Sequence, residues 1–136
     1  MALTDIFVTQ YLLQGTEAAV DTICWRELES GGFETGVNGL TVQIDQCHDR
    51  AGAYVCLTMV AGPEKVFIAE PRSTAFIGRK YKSEDDRTLA ELVRRLYETA
   101  EAQCADRRKR SVERAQEIRQ ELFHQLVFGQ EARVRR

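Results

Sequence analysis

With 136 residues, 43% of them apolar and 29% charged, the chain is long enough to enclose one hydrophobic core and too short for two comfortable ones, and its balance is that of a globular protein. The most apolar N-terminal stretch, Leu3 to Leu13, is interrupted by Asp5, Thr9 and Gln10 and has no basic residue before it, so it reads as neither signal peptide nor membrane span, and the expectation is a cytoplasmic chain with no membrane partner. Net charge is only −2, but residues 1–71 hold three Lys/Arg against ten Asp/Glu while 72–136 hold sixteen against eleven, a polarity that bears on association rather than on fold.

In chain order, Leu3, Ile6, Phe7, Tyr11 and Leu13 fall near one face of a short helix, with Thr4 or Asp5 as cap and Gly15 as stop. From Thr22 the period changes to two. Ile23 and Trp25 share one side of a strand, Ser30-Gly31-Gly32 turns the chain, and the alternation of Phe33, Thr35 and Val37 follows. Asn38-Gly39 then separates that run from Leu40, Val42 and Ile44, and Asn-Gly between alternating segments is the strongest short hairpin signal because both turn residues tolerate positive φ. Asp45 to Gly52 reads as a polar loop. Val55, Leu57 and Met59 mark the next strand, Ala61-Gly62-Pro63-Glu64 the next turn, and Lys65 to Ala69 a short strand ended by Pro71. Thr74-Ala75-Phe76-Ile77 fits either a sixth strand or an apolar anchor in a loop.

Ser83 followed by Glu84, Asp85 and Asp86 is a helix start, a hydroxyl cap with carboxylates in the first turn. Leu89, Leu92, Val93, Leu96, Ala100 and Cys104 form a stripe that a core-facing helix requires. The segment from Ala105 to Arg114 is almost wholly charged, after which Ala115, Ile118, Leu122 and Leu126 resume the stripe nearly in phase. One helix from 84 to about 128 would be about 67 Å long at 1.5 Å per residue, against a radius of gyration of about 14 Å for a compact domain of this size. Such a helix either bends within 105–112 or carries its distal half beyond the domain.

The predicted architecture is therefore α+β: an antiparallel β-meander of about five strands, a short N-terminal helix and a long C-terminal helix, in a single domain over 1–129 with a basic, mobile tail over 130–136.

Cys24, Cys47, Cys56 and Cys104 are dispersed without a CxxC pair, which reads as reduced thiols. Cys47, His48 and Cys56 do not make a metal site, because neighbours on an extended chain point to opposite sides and a fourth ligand is missing. The same geometry argues against Cys47, His48 and Asp49 as nucleophile, base and orienter. There is no phosphate-binding glycine loop, dinucleotide fingerprint or HExxH, so neither catalytic residues nor cofactors are assigned. Trp25 and Tyr54 could be stacking platforms, but a lone strand Trp is more often core.

Arg107, Arg108, Lys109 and Arg110 could contact an anionic partner. Four consecutive residues spread around a helix, however, and Asp106, Glu113, Glu117 and Glu121 lie at pairing distance, so nucleic acid is the less favoured partner. The leading functional expectation is a noncatalytic protein-interaction module, a homodimer joined through Ile118, Leu122, Phe123 and Leu126, with a protein partner as a further option. The alternatives are a nucleic-acid-binding protein using the basic centre of the helix, and a small enzyme whose site is built from residues distant in sequence.

Overall fold

The computed structural model describes residues 2–72 and 81–134, and side chains from Leu3 to Arg72 and Tyr81 to Gly129. Thr74 to Ile77, expected as strand or anchor, lie outside the described residues. The order is α1 (Ala2–Glu17), β1 (Arg26–Glu27), β2 (Phe33–Val37), β3 (Leu40–Asp49), β4 (Gly52–Ala61), β5 (Glu64–Ala69) and α2 (Glu84–Val134). The strands form one antiparallel sheet in sequence order β1-β2-β3-β4-β5, the predicted meander. By packing, the chain divides into Met1–Cys104 and Ala105–Arg136.

In the first unit, tight turns set the register. Asn38 (φ 50°) and Gly39 (φ 81°) link the closing pair Val37 and Leu40, the left-handed pair that a two-residue hairpin demands. The inner face then follows by alternation: Phe33, Val42, Ile44, Val55, Leu57 and Ile68 are buried against Ile6, Leu12 and Leu13 of α1 and Leu89, Val93, Leu96, Ala100 and Cys104 of α2 in a single cluster. The stripe expected of the proximal α2 is the one that packs. Its start is capped as predicted, with the Asp86 N–H donating to Ser83 Oγ at 3.2 Å.

Four local expectations are corrected. Asp45 to Asp49 is strand, not loop: β3 runs to Asp49 and pairs with β4 back to Gly52, because backbone pairing with an already registered neighbour needs no apolar side chains. Thr22 to Trp25 is irregular and not a strand, which begins only at Arg26. Its backbone is instead served by the Gln103 side chain, whose Oε1 accepts from Trp25 N at 2.6 Å and whose Nε2 donates to Ile23 O at 2.9 Å; Cys104 Sγ donates to Trp25 O at 3.4 Å. One amide thus takes the place of a neighbouring strand.

The N-terminal helix also turns a different face inward. Ile6, Thr9, Leu12, Leu13 and Thr16 are buried, while Leu3, Phe7 and Tyr11 are exposed. The threonines can enter the core because their hydroxyls donate to carbonyls one turn earlier, Thr9 to Asp5 O at 2.8 Å and Thr16 to Leu12 O at 2.7 Å. Finally, neither Gly15 nor Gly129 ends a helix; neither adopts the positive φ of a glycine stop. Gly15 serves close approach, since a Cβ there would overlap the Ile23 side chain.

In the second unit the helical hydrogen bonding continues to Val134, so residues 130–134 of the segment expected as a tail are helical. Every described side chain from Ala105 to Gly129 is exposed. Among the described residues no helix is long and apolar enough to cross a membrane.

Candidate functional site

Three surfaces are candidates. The first was not legible in the sequence: a groove of about 310 Å³ between α1 and the β2–β3 hairpin, lined by Phe7, Val8, Tyr11, Leu12, Val37, Asn38, Leu40, Val42 and Met59. Phe7 and Tyr11 stand one turn apart on the outer face of α1, and Leu40 follows the hairpin turn, so three apolar side chains remain exposed on its rim. The one sequence signal was the Leu3, Phe7, Tyr11 spacing, which equally well describes a buried face. Apart from the Tyr11 hydroxyl and the Asn38 amide the lining is apolar, so its chemistry is mainly that of apolar contact.

The second surface is polar, a cavity of about 330 Å³ lined by Ala51, Ala53, Glu70, Pro71, Arg72, Tyr81 and Arg94. Its cations are already neutralised. Arg94 reaches the buried Glu70 carboxylate at 3.0 Å, and Arg72 holds Asp49 through two hydrogen bonds of 2.7 and 2.9 Å while lying 4.7 Å over the Tyr54 ring. Tyr54 is thus a platform for an intramolecular guanidinium. The Arg72 hydrogen bonds, with a backbone N–H from Ala51, hold the Asp49 carboxyl below its ordinary value.

Arg72→Ala is therefore expected to raise the Asp49 pKa toward the ordinary carboxylate value, as read by carboxyl-carbon NMR titration. The sign of the linked stability follows from the lowered folded value. The Arg72 contribution is full above the unfolded value of about 3.9 and is lost as pH falls through the folded one. The gap between the urea midpoints of parent and variant should close on acidification; a gap that widens would contradict the assignment.

The candidate catalytic and metal groups do not converge. Asp49 is committed to Arg72, and Cys47 and His48 point to opposite faces of β3. Cys47 and Cys56 are diagonal neighbours on the outer face, where burial first and the Cys47 thiol second push the Cys56 thiol upward. Among the described residues no three His, Cys, Asp or Glu side chains are placed to hold a metal ion. Trp25 is fully buried, which removes it as a stacking platform.

The third surface is the distal part of α2. Ile118, Leu122, Phe123 and Leu126, the residues expected to self-associate, are 43%, 53%, 69% and 62% exposed. Ile118, Leu122 and Leu126 repeat at steps of four, with Phe123 beside them, so they share one helix face. His124 lies against Phe128, ring centroids 4.4 Å apart, on a different side of that stripe. Arg107, Arg108, Lys109 and Arg110 are exposed, but Arg110 pairs with Asp106 at 3.1 Å and Arg114 with Glu117 at 3.3 Å, and Arg107 and Arg108 have partners as well. Of the interleaved acidic residues, Asp106 and Glu117 engage basic ones.

Comparison with protein-family models, with curated proteins and with solved structures gave no match.

Proposed function

We propose that this chain is a noncatalytic protein-interaction module that forms a homodimer through the distal part of α2. The observation that carries the reading is the row Ile118, Leu122, Phe123 and Leu126, four large apolar side chains exposed on one face of a helical segment with no buried residue among its described side chains. Full burial of one such side chain is worth about 1.5–3 kcal/mol, so an apolar face of this kind gains from a partner helix, and a twofold pair of identical helices is the commonest way to supply one. The neutralised arginines of the polar cavity and the separation of Cys47, His48 and Asp49 support the absence of catalysis. The acidic neighbours along α2 support a protein rather than nucleic acid as the partner of the basic centre.

Sedimentation equilibrium tests the reading. The parent should be dimeric at low micromolar concentration and the Leu122→Asp, Leu126→Asp variant monomeric there, with circular dichroism unchanged. A parent that stays monomeric into the high micromolar range overturns it.

A further inference from the structure

The two long strands bring two thiols together on the outer face of the sheet. Val42, Ile44, Val55 and Leu57 alternate into the core, so Asp45, Cys47, Tyr54 and Cys56 point the other way. In the β3–β4 register Cys47 faces Tyr54 and Asp45 faces Cys56. The cysteines are therefore diagonal neighbours on one face, both half-buried, and the Cys47 sulfur is close enough to hydrogen-bond the Cys56 thiol. Both lie inside ten-residue strands whose pairing continues on either side of them, so the ladder holds the two side chains at a set separation.

Diagonal neighbours on an antiparallel pair are about 7–8 Å apart, beyond the roughly 4.4–6.8 Å between Cα atoms that a disulfide spans. The sulfurs do not join directly while the ladder keeps its register, but an ion can bridge them. At about 2.3 Å per metal–sulfur bond, two thiolates in line with one ion lie about 4.6 Å apart. Among the described residues no third His, Cys, Asp or Glu joins the pair, and residues 73–80 contain none of those types. Zinc, which takes four ligands in a structural site, is not matched. A soft monovalent ion with a filled d shell is matched, because it prefers thiolate and is satisfied by two.

We propose that Cys47 and Cys56 form a two-coordinate binding site for a soft, thiophilic cation of the Cu(I) type. On binding, the ion displaces both thiol protons to solvent. Two metal–sulfur bonds replace two S–H bonds, and no electron is transferred. The surroundings suit an ion better than a bare thiolate. Burial, the Cys47 thiol and the Asp45 carboxylate opposite all push the Cys56 thiol upward, so the metal-free pair stays protonated and a poor nucleophile. A cation offsets that cost by neutralising one of the two thiolates it creates. The Thr58 hydroxyl donates to the Cys56 sulfur and steadies the charge that remains. Because the strands already fix the separation of the sulfurs, the second bond costs little further ordering. The site does not depend on the α2 reading.

The test loads the full, reduced chain with Cu(I) in the absence of oxygen, in competition with a coloured Cu(I) chelator. The parent should take a single ion per chain, and X-ray absorption at the copper edge should show two sulfur ligands. Cys47→Ser and Cys56→Ser should each weaken uptake by about 10²–10⁴-fold, the gain that a tethered second ligand supplies. Cys24→Ser should match the parent, since that thiol is exposed on a separate segment. With the chelator's own protonation allowed for, the apparent affinity should rise by about a hundredfold per pH unit while two protons leave per ion. A parent that takes no ion from the chelator overturns the proposal. So does a Cys47→Ser or Cys56→Ser variant that binds like the parent, uptake that depends on Cys24, or one ion shared between two chains. Stoichiometry and the copper spectrum are read on the unmodified chain, so the outcome stands even where a serine variant folds poorly.

Discussion

Trp25→Ala should lower the stability of the Met1–Cys104 unit by about 3–5 kcal/mol, against a total of about 5–15 kcal/mol for a domain of ordinary stability. The indole is fully buried in the core shared by α1, the sheet and α2, and its Nε1 donates to Thr16 Oγ1 at 2.9 Å. Alanine leaves a cavity and strips the Thr16 oxygen of its donor, while the Thr16 hydroxyl hydrogen remains with Leu12 O. Trp25→Phe keeps most of the volume and loses the N–H, so its cost should be much smaller. Urea unfolding followed by circular dichroism measures both. A loss below about 1 kcal/mol for the alanine variant would mean that the site collapses onto the vacated volume and that Trp25 is not a keystone.

Arg94→Ala should be the next most damaging single change, at about 2–3 kcal/mol, a discount on the 3–5 of a fully buried pair because the Arg94 side chain is 52% exposed while that of Glu70 is only 8% exposed. The asymmetry matters. Removing Arg94 strands a carboxylate out of water, with the Val55 N–H at 3.0 Å as its remaining backbone donor. Removing the carboxylate lets the arginine rotate into solvent and leaves mainly the Val55 N–H without an acceptor, a cost of about 1–3 kcal/mol. Adding Glu70→Gln to Arg94→Ala should therefore recover stability, since a neutral amide oxygen still accepts from Val55. Denaturant melts of the two single variants and the double variant give the coupling; a double variant worse than Arg94→Ala alone would show that the charge itself is not the burden.

Where the sequence was readable, the determinants were local. Asn38-Gly39 specifies its turn through the φ values of two residues, and the Leu89 to Cys104 stripe follows from helical geometry within one element. Where it was not, the partner lay far along the chain or the determinant was a backbone group. Ile23 and Trp25 alternate like strand residues, but the group that satisfies them is the amide of Gln103, some eighty positions on. Asp45 to Asp49 looks like loop because its side chains are polar, yet β3 owes its length to the backbone ladder with β4. Thr9 and Thr16 look like surface residues because nothing in composition reveals that each hydroxyl will bond its own helix. The apolar groove draws on α1, β2, β3 and β4, so no periodicity within one element could announce it, whereas the α2 row is contained in a single helix and was visible.

The Gln103 clamp also imposes an order of events. Hairpins joined by two-residue turns close by local contact alone, before the remainder of the chain is needed. Within Thr22 to Trp25, Ile23 N–H and Cys24 C=O bond Gly15 and Thr35, but the Ile23 C=O and Trp25 N–H wait for the Gln103 amide. On a ribosome, β2 to β5 can pair while the Trp25 indole waits for most of the first unit to be synthesised, and only the docking of α2 brings the start of the chain home. The same side chain that closes the native core is, until then, the chain's largest unburied aromatic.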